Sequence, residues 1–171
     1  MKKTALIFDI DGVFCDSSIR FKRFDIAAFN RRDKEAFVKS VQEYSKDCED
    51  DVAISQGKDL FDLLTSYYLP HDVYIITARG ESGRKPTMEW LKANGFWDDR
   101  CHLIMHQENL EEFEFSTQFS HSIYKKEEAI KIMETHDVIF AVDDGEDNVN
   151  AYASLQIPTL KFIVPIGRVL V

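Results

Sequence analysis

Residues 4–8 read Thr-Ala-Leu-Ile-Phe, and Asp9-Ile10-Asp11-Gly12-Val13 follow at once. The apolar run has the length and composition of a buried parallel strand. It stops at two carboxylates one residue apart and then a glycine, which permits a sharp turn. Open α/β sheets bind ligands at the carboxyl ends of their strands, so two acids there form a candidate site. Like charges this close are costly unless a cation or a shared proton relieves them. Taken alone, the same residues also describe a strand closed by an Asp-Gly turn.

The rest of the chain repeats the alternation. Residues 24–48 read as one or two helices, with Phe24, Ala27, Ala28, Phe37, Val41 and Tyr44 as an apolar stripe. Residues 47–51 are an acidic breaker. Ser55 is placed to cap a helix running to Leu69, with Leu60, Leu63, Leu64 and Tyr67 on its buried face. Val73–Ile76 is a second buried strand, closing at Thr77-Ala78-Arg79-Gly80. A helix over 85–94 has Pro86 in its first turn and stops at Gly95. His102–Met105 is a third strand, and 106–121 is irregular. A helix over 123–135 turns Ile123, Ala129, Ile130 and Met133 inward. Val138–Val142 is a fourth strand ending at Asp143-Asp144-Gly145. A short helix over 147–154 and a strand over 159–164 complete the pattern. Strands alternating with helices predict an α/β fold, a doubly wound parallel sheet.

The chain of 171 residues has room for one domain with a real core. Its net charge of −9 argues against nonspecific coating of nucleic acid. The charge is uneven: residues 20–34 carry +4 and the remainder −13. The segment reads either as a solvated helix face or as a basic border to the site. Three widely spaced cysteines, Cys15, Cys48 and Cys101, support neither a zinc site nor a disulfide framework, and a reducing cytoplasm is the simplest home. Lys2 and Lys3 precede an apolar stretch that acids interrupt at once, so no signal peptide is expected. No run approaches the ~18 apolar residues of a membrane span, and no membrane partner is expected. Nothing in the sequence sets an oligomeric state.

In a doubly wound sheet, Asp9 and Asp11, Thr77 and Arg79, and Asp143 and Asp144 should converge on one edge. Acids from two strands make an oxygen-only pocket suited to Mg2+. A hydroxyl and basic groups complete a phosphate cradle, and Lys125-Lys126 can offset charge on a carboxylate or a phosphoryl oxygen. Asp147, four residues after Asp143, either supports the pocket or starts a helix. Phe113, Phe115 and Phe119 are expected to dock on the core rather than to stack bases.

The order and spacing of these pieces resemble the haloacid dehalogenase (HAD) superfamily of phosphotransferases. The DxDGV opening, the strand ending in Thr77, a lysine before the fourth strand and the Asp-Asp after it match its four motifs. The resemblance implies a HAD-type Rossmannoid domain over 1–171, with 16–56 as a small helical cap insertion or no true cap. It implies Asp9 as nucleophile, Asp11 as general acid/base, and Thr77 as holder of the phosphoryl group. Lys126, followed by two glutamates as in the family, neutralises charge. Mg2+ sits among Asp9, the Asp11 carbonyl and the Asp143/Asp144 pair.

A closer resemblance is to the polynucleotide 3′-phosphatases, the family of the phosphatase domain of bacteriophage polynucleotide kinase. It rests on Arg79-Gly80-Glu81-Ser82-Gly83, on Lys126-Glu127-Glu128, and on Arg20, eleven residues after Asp9. It implies that Arg20, Arg79 and Gly80 bind substrate, the arginines as planar forks on a phosphate. Val13 and Ser122 depart from the family pattern, where threonine and an acid stand. Val13 is equally familiar from 5′-nucleotidases of the superfamily. No P-loop is present.

The expected activity is therefore Mg2+-dependent phosphomonoester hydrolysis through an aspartyl-phosphate. Its expected substrate is a polynucleotide 3′-phosphate end or a nucleotide. A 5′(3′)-deoxyribonucleotidase acting on free mononucleotides is the alternative. The viral relatives imply that a virus-encoded protein in a host cytoplasm also fits. A receiver-like signalling module has similar residues in a different order along the chain, and a silent phosphate-binding protein would not need all of them.

Overall fold

The computed structural model of the protein describes residues 2–23, 34–107 and 121–164. Arg31, Arg32, Phe113, Phe115, Phe119 and the first part of the expected 24–48 helix lie outside the described residues. In chain order the elements are β1 (Lys3–Phe8), β2 (Cys15–Asp16), α1 (Ser18–Arg23), α2 (Lys34–Lys46), β3 (Val52–Ala53), α3 (Ser55–Tyr68) and β4 (Asp72–Gly80). A 3-10 turn (Glu81–Gly83) leads into α4 (Arg84–Ala93). Then come β5 (Cys101–His106), α5 (His121–Thr135), β6 (His136–Asp143), α6 (Glu146–Ser154) and β7 (Thr159–Lys161).

Five strands form one parallel sheet in the order β5-β4-β1-β6-β7, so the apolar N-terminal run lies at its centre. Phe8 pairs with Ile75 on one side and Val142 on the other. The chain order reverses across β1, which makes the crevice above β1 the expected ligand position. Successive residues of a strand face opposite sides. Leu6 and Phe8 therefore join Phe14, Phe61, Trp90, Leu91 and Phe96 in one buried cluster. Ala5 and Ile7 join Ala129, Ile132 and Tyr152 in the other. Phe14 stacks on Phe96 at 4.2 Å between ring centroids, so the turn after β1 is itself nailed into the core.

Two helices bury different faces from those expected. On α3, Gly57, Phe61, Leu64 and Thr65 are inward, while Leu63 and Tyr67 are 61% and 76% exposed. The reason is Gly57: a Cβ there would lie 1.9 Å from the Val13 carbonyl oxygen, so the first turn of α3 presses directly on the loop after β1. That contact sets the rotation of the helix. Ile54, not Ser55, is the N-cap, and Ser55 bonds to Gln56 instead. On α5, Lys125, Ala129 and Ile132 are inward, and Ile123 and Ile130 are exposed.

Between β1 and α3 the chain forms a two-stranded antiparallel ribbon, β2 with β3. The end of α2 packs on the 3-10 turn. Ser45 Oγ accepts a hydrogen bond from the Gly80 amide at 3.0 Å. This segment therefore bears on the end of β4 rather than standing apart from it.

The opposite edge of the sheet carries a separate cluster. The Asp72 carboxylate is bonded to His102 Nε2 at 2.8 Å and His136 Nε2 at 2.9 Å. Burial opposes ionisation of Asp72, but these bonds outweigh it and lower its pKa from the ordinary 3.8 to about 2. A depressed carboxyl stabilises the fold above its unfolded value and loses that contribution as pH falls through its folded value. Urea midpoints of the wild type should therefore fall between pH 4 and pH 2 more steeply than those of Asp72→Asn. Parallel curves would show that Asp72 is not responsible.

Candidate active site

Asp9 follows β1 directly and is held there by its amide, which donates to the Val142 carbonyl at 3.0 Å. The carboxylate is buried. Lys125, on the inward face of α5, places its Nζ 2.8 Å from Asp9 Oδ1 and 2.7 Å from Asp143 Oδ2. The second Asp143 oxygen accepts from the Gly145 amide at 2.9 Å and from Asn148 Nδ2 at 2.8 Å. Both Asp143 oxygens thus accept hydrogen bonds and the residue is buried, while Asp144 is exposed. Asp144 lies over Gly12, where a Cβ would come within 2.1 Å of its Oδ2. Gly12 has φ +81°, so both space and backbone require glycine at that turn.

One oxygen from each of Asp9, Asp143 and Asp144 lies within 4.8 Å of the other two. With Lys125 these groups sum to a formal −2. Burial, the largest influence, pushes the Asp9 carboxyl well above its usual range. Lys125 opposes that push, and Asp143 and Asp11 add to it. Burial disfavours the Lys125 ammonium, but Asp9 and Asp143 outweigh it and push its pKa up. The donor set, all oxygen and short of two positive charges, is chemically suited to a divalent cation such as Mg2+.

Asp11 belongs to a second group. Its Oδ2 accepts from Arg79 Nε at 2.8 Å, and its Oδ1 accepts from Arg79 Nη2 and Arg20 Nη2, both at 2.8 Å. The same two Nη2 atoms reach Asp51 Oδ2 at 2.8 Å and 3.2 Å. Burial would raise the Asp11 carboxyl, but Arg79, and then Arg20, hold it well below the usual carboxylate range. Arg20 also lies 4.4 Å from the centre of the Tyr44 ring. Cys15 Sγ sits within this group, 3.0 Å from Arg79 Nη2, and burial pushes its thiol pKa up.

The sheet edge brings together Asp9, Asp11, Asp143 and Asp144 from two strand ends. Thr77 is buried in β4, its Oγ1 accepting from the Arg79 amide at 3.2 Å. Lys125, not Lys126, occupies the position between the acids, because 125, 129 and 132 share the inward face of α5. Arg20 and Arg79 grip Asp11 and Asp51 rather than presenting open forks. The Gly80 amide is taken by Ser45. Asn148 supports Asp143, while Asp147 is exposed in the first turn of α6. Asp51 and Ser45 were invisible as site residues, since the sequence shows only an acidic run and a helix end. Asn148 left a faint signal, five residues after Asp143 in the helix that opens beside it.

No protein-family model matches the chain, and no curated protein sequence matches it. Solved structures do. A chain of the Pnkp1/Rnl/Hen1 RNA repair complex superposes with a TM-score of 0.62 at 18% identity, over 94% of this chain and 42% of that one. The present chain thus spans less than half of that relative's length. A haloacid dehalogenase-like hydrolase from Streptococcus pneumoniae gives 0.53 at 18% identity, over 92% and 83% of the two chains. A mutant HAD-family enzyme from Bacteroides thetaiotaomicron, in complex with magnesium and inorganic phosphate, gives 0.50 at 12% identity, over 99% of each chain. At these identities the likeness establishes a shared fold. Among the described residues no helix is long and apolar enough to cross a membrane.

Proposed function

We propose that the chain, which has the fold of the haloacid dehalogenase-like hydrolases, is a Mg2+-dependent phosphomonoesterase acting through an aspartyl-phosphate on Asp9. The observation that carries this reading is the buried Asp9–Lys125–Asp143 bridge at the switch point of the sheet. A stability role alone would not favour burying three charges around one crevice, because desolvation offsets most of the Coulombic gain.

Asp9, Asp143, Asp144 and the Asp11 carbonyl would hold Mg2+, which when bound supplies charge neutralisation for the carboxylates and the phosphoryl oxygens. Asp9 attacks phosphorus, forming the Oδ–P bond as the ester P–O bond breaks. Asp11 gives a proton to the leaving oxygen. Water then attacks phosphorus, Asp11 takes its proton, and the Oδ–P bond breaks to release inorganic phosphate. Arg79 and Arg20 hold Asp11 as carboxylate, the form the second half-reaction needs. Donating a proton in the first half requires that grip to loosen as substrate arrives. Lys125 stays protonated and orients Asp9 through a charge-assisted hydrogen bond. Thr77 is placed to hold a phosphoryl oxygen.

The substrate we assign is a polynucleotide 3′-phosphate end or a nucleotide. The likeness to a chain of an RNA repair complex supports the first of these. The test is phosphate release from 3′- and 5′-phosphorylated oligonucleotides and from 3′- and 5′-mononucleotides, with and without EDTA. The expected result is fastest release from the 3′-phosphorylated oligonucleotide. EDTA should cut the rate by at least about 100-fold, consistent with a metal supplying several kcal/mol to the transition state, and added Mg2+ should restore it. Preference for mononucleotides would assign a nucleotidase instead. Release from none of the four would overturn the substrate assignment.

A further inference from the structure

We propose that Asp51 is a positioning residue for this reaction, sharing the guanidinium groups of Arg20 and Arg79 with Asp11 and so fixing where the Asp11 carboxylate points. The inference rests on the phosphatase reading of the site and extends it to a residue that reading does not use.

The geometry is that of a closed quartet. Two carboxylates and two guanidiniums balance in charge, with Arg79 Nη2 and Arg20 Nη2 each placed between Asp11 Oδ1 and Asp51 Oδ2. The side chains of Arg20, Arg79 and Asp51 are each 1% exposed, whereas Asp11 is 33% exposed. Only Asp11 can meet a substrate, so Asp51 acts through the arginines. Asp51 is itself anchored. Its carbonyl accepts from the Trp90 indole at 2.9 Å, and its amide donates to the Cys48 carbonyl at 3.2 Å. It leads into β3, which pairs with β2, and the Gly12 amide donates to the Cys15 carbonyl in β2 at 2.9 Å. A short rigid path thus joins Asp51 to the turn that carries Asp11.

The quartet is not built for stability alone. Arg20 Nε, Arg79 Nη1 and Asp51 Oδ1 are buried without a hydrogen-bond partner among the described residues. Buried polar groups left unpaired are costly, and a pure staple would pair them or be apolar. Without the Asp51 charge, two guanidiniums would face one carboxylate. Both would close on Asp11 and draw it away from the reacting oxygen. Misplacement by about 1 Å costs on the order of 100-fold in rate.

The test compares wild type, Asp51→Asn and Asp51→Glu, each corrected for its folded fraction. Steady-state kinetics are read at saturating Mg2+, and the Arg79 Nε–H resonance is read by 15N NMR without substrate. For Asp51→Asn we expect kcat to fall by about 100-fold, with KM within about threefold, because binding is retained while geometry is lost. The Arg79 Nε–H signal should shift, because its acceptor Asp11 moves with the guanidinium. Asp51→Glu restores the charge and should recover at least tenfold of the lost kcat. An unchanged kcat in Asp51→Asn would overturn the proposal. So would a loss carried wholly by KM, or equal losses in both variants. If wild type releases no phosphate, the phosphatase reading has failed. The Arg79 resonance then still decides the structural half: movement in Asp51→Asn supports it, and an unmoved signal overturns it.

Discussion

Asp9→Asn protein is expected to release phosphate at less than about a thousandth of the wild-type rate, since removing a covalent nucleophile leaves only binding and electrostatic assistance. The amide has nearly the shape of the carboxylate and can still accept from Lys125 through its oxygen, but it cannot displace an alkoxide. The fold should survive. Lys125 keeps its bond to Asp143 at 2.7 Å, so no charge is left buried and unpaired. The change also relieves a carboxyl whose pKa is pushed up by burial and by Asp143 and Asp11. The measurement pairs rates with thermal melting in EDTA. A melt equal to or above wild type, together with lost activity, places Asp9 in the chemistry. Residual activity within tenfold of wild type would remove it.

Lys125→Ala is expected to cost about 3–5 kcal/mol of stability, the usual penalty for removing one partner of a buried ion pair. In a chain of this size that corresponds to a melting point lower by roughly 6–20 °C. Three acids would then share the pocket with no ammonium, so Mg2+ should raise the melting point of Lys125→Ala more than that of wild type. Phosphate release should fall by about 100- to 1000-fold, as when a preorganised electrostatic partner is lost. Lys126→Ala, one residue along, should stay within about 0.5 kcal/mol of wild type and within twofold in rate. Half-buried Lys126 has no place in the bridge. Equal effects of the two substitutions would contradict the assignment of Lys125.

The two lysines show where local reading ends. The expected α5 stripe runs through Ile123 and Ile130, and the choice of Lys126 rests on the two glutamates that follow it, as in the family it resembles. The phase realised is 125, 129, 132. It wins because two buried carboxylates make an inward lysine more favourable than an inward isoleucine. Nothing within the helix reports that trade, since both acids arrive from other strands. The same limit applies to α3, whose rotation is set by the approach of Gly57 to the Val13 carbonyl.

The arginines make the point from the other direction. Arg79 is legible as a candidate site residue because it follows a strand end, and Arg20 through the family resemblance, which places an arginine eleven residues after Asp9. Their partner is not. Asp51 stands in a run of acids that reads as solvated, and only the ribbon of β2 with β3 carries it inward to meet them.

What the sequence by itself determined is the sheet and its edge. Apolar runs closed by Asp9, Thr77 and Asp143 and separated by helical stretches read as parallel strands, and parallel strands place those residues side by side. Backbone geometry forces that outcome from local composition. Only the tertiary structure decided which lysine joins the acids, which carboxylate is left facing solvent, and what holds Asp11. Those choices depend on balancing buried charges from separate segments, and a charge balance exists only once the segments have met.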